Sequence, residues 1–166
     1  MAFRSAFLAL ERRTTALALW CAGLMLVIAA VSGFYQIISR FVIEQPAEWS
    51  EVVVRFALIW MVFLGAPTAF RQGAMISVDL MYRKSGPGLR RFLDGLTLVC
   101  SVALMAVILW WGWDYAWRTR MQTIPGIESL TMIWAYASMP VGAAFSLLAI
   151  FGQWFDPRHY ELDTAQ

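Results

Sequence analysis

Four apolar runs of roughly 20 residues each, long enough to cross the hydrocarbon core of a bilayer, take up most of this 166-residue chain. They fall at residues 15–38, 52–70, 92–113 and 131–154. Short links join them and leave no room for a separate soluble domain. The sequence therefore predicts one all-α integral membrane domain of four transmembrane helices. With 60% hydrophobic residues, the composition is too apolar for an ordinary soluble domain.

Basic residues mark the orientation. Arg4, Arg12 and Arg13 precede the first run, and Arg71, Arg83, Lys84, Arg90 and Arg91 fill the second link. In the first link Arg40 is set against Glu44 and Glu48, and in the third Arg118 and Arg120 against Asp114 and Glu128. The bias of Lys and Arg toward the cytoplasm predicts both termini and the central link inside. Because these cations act as topology signals, the net charge of +2 gives no reason to expect a nucleic-acid partner. The first run is longer than the apolar region of a usual signal peptide and is read as a retained helix.

Stepping about 100° per residue around each helix exposes stripes of small residues. Ala18, Ala22, Ala29, Gly33 and Gln36 share one on the first helix. Glu51, Arg55, Val62, Ala66, Ala69 and Gly73 share one on the second, opposite Phe56, Trp60, Phe63 and Leu64. Thr131, Ala135, Ser138, Gly142, Ser146 and Ala149 share one on the fourth. Such stripes let membrane helices approach closely and gain van der Waals contact. Two uses stand open, which can hold together: the stripes face one another inside a bundle, or one of them docks on another membrane subunit. Gly65, Ala66, Ala69 and Gly73, with Trp49 at the helix's outer end, are the candidate subunit interface.

Arg55 sits within a bilayer segment, where an unpaired charge is costly. Glu51, one helical turn earlier, is its expected structural ion-pair partner. Pro67 and Pro140 interrupt the second and fourth runs and are read as structural kinks. After Arg71 the second link mixes Ile76, Val78, Leu80 and Met81 with cations before the turn Ser85-Gly86-Pro87-Gly88. This predicts an amphipathic segment on the membrane surface, with Arg71, Arg83, Lys84, Arg90 and Arg91 as candidate lipid contacts. Trp110, Trp111, Trp113 and Trp117 cluster at the predicted outer end of the third run. They form a candidate outer rim, read as an interfacial aromatic belt or as a docking surface for an external protein. Cys21 and Cys100 both fall inside runs, form no CxxC pair, and are expected to be buried apolar side chains.

Other chemistry is missing from the pattern. There is no GxxxxGK[ST] loop for nucleotide, the lone His159 cannot supply paired haem ligands in the bilayer, and no cluster has metal-ligand spacing. No acidic group lies at mid-membrane to carry an ion: Glu51 is near one boundary and Asp94 near the other. No catalytic residue, cofactor or metal is expected. A self-sufficient four-helix exporter would need a carboxylate in its first span, and a redox anchor would need haem or quinone ligands; these are the rival readings.

Trp49-Ser50-Glu51, Arg55, Trp60, Phe63-Leu64-Gly65-Ala66, Arg71-Gln72-Gly73 and Val78-Asp79 together resemble the signature of the small permease subunit of tripartite ATP-independent periplasmic (TRAP) transporters. Ile124-Pro125 and then Tyr136 and Met139-Pro140-Val141-Gly142 extend the likeness over nearly the whole chain. Val52 stands where the family often has a second acid, and Met75 where it commonly has histidine. The resemblance implies a non-catalytic scaffold subunit in a bacterial cytoplasmic membrane. Its implied partners are a large multi-span membrane subunit, which carries small organic anions (carboxylates or sialic-acid-like compounds) with sodium, and a periplasmic substrate-binding protein.

Overall fold

The computed structural model describes residues 2–45, 47–72, 87–124 and 127–156. Helix α1 (Ala2–Phe41) leads into α2 (Glu48–Gln72), and α3 (Pro87–Arg118) follows the central link. A 3-10 turn (Thr119–Met121) and a small hairpin of β1 (Thr123–Ile124) and β2 (Ile127–Thr131) then lead to α4 (Ile133–Tyr136) and α5 (Ser138–Phe155). Four helical segments, counting α4 and α5 as one from Ile133 to Phe155, are long and apolar enough to span a membrane. At 40 residues, α1 runs for about 60 Å, well beyond the ~30 Å of hydrocarbon.

The small stripes of α1 and α5 do face inward. Ala18, Ala22 and Ala29 are buried on α1, and Ser138, Gly142, Ala143, Ser146 and Ala149 on α5. Helix α5 is the centre of the bundle, touching α1, α2 and α3, while α1 lies along α2. One cluster joins Ala18 and Ala22 to Leu64, and another joins Phe70 and Met105 to Ala143, Ala149 and Ile150. Helix α3 leans on α5 through a narrow stripe of Met105, Gly112 and Ala116.

The second helix departs from expectation. Its buried residues are Ser50, Ala57, Leu64, Pro67, Phe70 and Arg71, on the side opposite the predicted stripe. Glu51, Arg55 and Val62 face outward instead. Among the described residues of that stripe, Ala66 packs against the chain's own core. The inward side carries the bulkier groups because its neighbours α1 and α5 already supply the small ones.

The two prolines have distinct consequences. Pro67 lies inside a continuous α2, where its missing N–H leaves the Phe63 carbonyl without its helical partner. Gly142 of α5 packs against that carbonyl: a Cβ there would lie 2.6 Å from Phe63 O. Pro140 falls in the first turn of α5, where a missing donor costs least. Around Ala137 the backbone stays helical (φ −60°, ψ −22°), so the fourth span continues through this point. The hairpin was not expected, since a five-residue strand pairing with a two-residue one leaves too short an alternation to read. Cys21 is half-buried and Cys100 exposed, which corrects the expectation of burial for Cys100.

Candidate functional site

The most heavily bonded polar group among the described residues is Arg71. It stands in the last turn of α2, where a cation complements the helix dipole. Its Nε donates to Glu11 Oε2 of α1 at 3.2 Å. Its Nη1 donates to Gln153 Oε1 of α5 at 2.8 Å and to the Asp156 carbonyl at 2.7 Å, and its Nη2 to Asp156 Oδ2 at 2.9 Å. Glu11 Oε1 also accepts from Thr15 Oγ1 at 3.1 Å. One guanidinium thus ties three helices together at the end of the bundle where α1 begins and α5 finishes. Arg4 adds a bond to the Phe155 carbonyl, and Phe7 meets Phe155 edge to face at 5.9 Å.

This overturns the expectation of Arg71 as a lipid or surface contact. The Arg71 side chain is 10% exposed and that of Glu11 1%, so the pair lies inside protein. Desolvated charges persist only when their geometry and extra hydrogen bonds compensate, and the guanidinium here has four acceptors. Gly152 makes room for the acid, because a Cβ there would come within 2.7 Å of Glu11 Cγ. Glu11 was missed by sequence reasoning, although a signal existed. It lies two turns before Ala18 on the same stripe, so following the small residues back toward the terminus leads to it.

The outer face of α2 is built differently. Arg55 Nη2 donates to Glu51 Oε1 at 2.6 Å, with the two side chains 68% and 59% exposed. Leu58 and Val62 continue this face in the open, and a Cβ at Gly65 would meet nothing within 4 Å. Gly112, Gly142 and Gly152 serve the chain's own packing, whereas at Gly65, as at Gly23 and Gly95, no described residue fills the space a side chain would take. Trp49 stacks on Tyr35 at 5.4 Å and stays 46% exposed, beside the exposed pair. Ala69 is half-buried.

At the far end of α3, Trp110, Trp111, Trp113 and Trp117 are all exposed. The Arg120 guanidinium lies 4.4 Å above the Trp117 ring, and Arg118 pairs with Asp114 at 2.8 Å. Tyr115 meets Tyr136 edge to face at 4.8 Å, and Trp60 Nε1 donates to the Trp134 carbonyl at 2.8 Å. This end therefore couples α2 and α3 to α4. Of the remaining predicted contacts, Arg91 is exposed. Gly73, Arg83, Lys84, the surface segment around 76–84 and the Arg90 side chain lie outside the described residues. Among the described residues no group of three or more His, Cys, Asp or Glu could hold a metal ion.

Comparison with known proteins places this architecture. The family model described as "Tripartite ATP-independent periplasmic transporters, DctQ component" matches residues 29–158. The chain belongs to this family. A relative, the isethionate TRAP transporter permease protein DctMQ of Oleidesulfovibrio alaskensis, is 27% identical over 135 residues, covering 78% of this chain and 21% of the relative. The chain thus spans about a fifth of that relative's length. The DctQ-family match includes all of α2 and α5, while Glu11 lies ahead of it. The chain is a multi-pass membrane protein and a small TRAP permease subunit.

Proposed function

We propose that this DctQ-family chain is a non-catalytic scaffold, which holds a large membrane permease subunit through the outer face of α2 and helps present a docking surface to a periplasmic substrate-binding protein. The single observation that carries the reading is the unused notch at Gly65. Membrane helices gain affinity by close backbone approach at small residues, and a side chain at this glycine would meet no described residue of its own chain. The match to about a fifth of a much longer permease supports a partner of that kind. The exposed Glu51–Arg55 pair would orient the approach, since charges on an exposed face set register more than affinity. The exposed rim of Trp110, Trp111, Trp113 and Trp117 would face the binding protein.

In this reading the assembly sits in a bacterial cytoplasmic membrane with both termini inside. It imports small organic anions by sodium symport, with substrate choice made in the other subunits. Co-purification from membranes expressing both permease subunits tests the interface. Gly65→Leu should cut the large subunit recovered by about tenfold, equivalent to ~1.4 kcal/mol, without altering the thermal stability of the isolated small subunit. Arg55→Leu should weaken recovery less. Full recovery with both variants would place the interface elsewhere.

A further inference from the structure

Beside the buried Arg71 network, a groove of about 190 Å³ opens between α1 and α2. Glu11, Arg12, Thr15, Ala16 and Leu19 form one wall and Thr68, Arg71 and Gln72 the other. The Glu11–Arg71 bond fixes the register of the two antiparallel helices, so Gln72 stands near the level of Arg12, and Thr68 about one turn further into the bundle. The groove is therefore graded. Its end nearest the start of α1 carries the paired Glu11 and Arg71 beside the Arg12 guanidinium and the Gln72 carboxamide, its middle Thr15 and Thr68, and its far end only Ala16 and Leu19.

We propose that this groove binds an anionic phospholipid, with the phosphodiester against Arg12 and Gln72 and an acyl chain along Ala16 and Leu19. Charge complementarity carries the assignment. Arg12 is exposed and makes no ion pair among the described residues, whereas Arg71 beside it is saturated with acceptors. An exposed guanidinium in the first third of a helix longer than the bilayer core matches a phosphate oxygen pair. A free inorganic anion would use the polar end and leave Leu19, which is 49% exposed, uncovered. A phospholipid satisfies both ends at once.

The test uses the full chain co-purified with its large subunit and exchanged into nanodiscs of mixed phosphatidylglycerol and phosphatidylethanolamine. Lipid retained after detergent extraction is then quantified by mass spectrometry. Arg12→Gln should lower retained phosphatidylglycerol by about tenfold, the scale of one lost charge-assisted contact. Arg13→Gln removes the same charge from a neighbouring exposed position that does not line the groove, and should leave retention unchanged. Leu19→Asp should reduce retention of both lipids. Phosphatidylglycerol should raise the thermal midpoint of the wild type and fail to raise that of Arg12→Gln, a readout that holds even if the variant folds less well. Equal losses for Arg12→Gln and Arg13→Gln would overturn the site in favour of a diffuse surface field. Stabilisation by inorganic phosphate equal to that by the lipid would overturn the lipid assignment. Absence of retained lipid in the wild-type assembly would mean that protein covers the groove.

Discussion

At the residue scale, the two ion pairs of α2 differ because their surroundings differ. Glu51–Arg55 is the shorter contact, but it joins two positions one turn apart on the open face of a single helix and so ties no two elements together. Glu11–Arg71 is longer but sits where neither charge can recover water. Removing one partner there leaves the other stranded. Arg71→Leu should therefore cost about 3–5 kcal/mol of stability, read as a drop in thermal midpoint in detergent. The double variant Glu11→Leu, Arg71→Leu should recover a large part of that loss, since removing both charges removes the desolvation penalty too. Purely additive effects in this cycle would show that the two side chains act independently. Gly142→Ala belongs to the same scale. Its methyl group would fall 2.6 Å from Phe63 Cβ and from the Phe63 carbonyl, forcing α5 off α2 at a cost of about 1–3 kcal/mol, measurable by the same midpoint.

At the scale of elements, the helices are held unequally. Helix α5 is buried along much of its length, with 44% of its most apolar window covered, against 6% for α3. Helix α3 therefore relies on its one stripe, and Gly112 is the tight point, since a Cβ there would lie 3.0 Å from Met139 Cβ. Gly112→Leu should release α3 while α1, α2 and α5 stay associated through the Arg71 network and the Ala18–Leu64 cluster. Hydrogen exchange should then rise across residues 87–118 and hold steady in α2. Equal acceleration in all helices would mean that the bundle opens as one unit. Much of this was legible from the chain. The inward stripes of α1 and α5 follow from helical period and residue size, and the membrane-spanning lengths from hydropathy. The hairpin was not legible, because two short strands owe their pairing to the helices that bracket them.

At the scale of the whole molecule, the fold has an anchored end and an open side. Both described chain ends meet at the Arg71 network, while α2 and α3 turn unpartnered apolar faces outward. Trp20, Val31 and Phe34 do the same on α1. A four-helix unit with so little of its apolar surface covered within itself leaves that surface to lipid and, on the proposed function, to a partner subunit. Liposomes containing this chain alone should show no concentrative uptake of organic anions, whereas liposomes with both permease subunits and the binding protein should show sodium-dependent uptake. Uptake by the single chain would return the self-sufficient exporter to consideration.

Hydrophobic length and small-residue spacing, both local properties of the chain, determined that it crosses the membrane four times and which sides of α1 and α5 pack inward. The direction in which α2 faces was decided only in three dimensions. Its two sides are both compatible with burial, and the choice depended on the shapes that α1 and α5 presented to it. The same holds for Arg71, whose place at a helix end reads as a surface cation until Glu11 and Asp156, distant in sequence, are brought to it by packing. Pairing across such separations has no local signature, because the energy that selects it exists only once the helices have met.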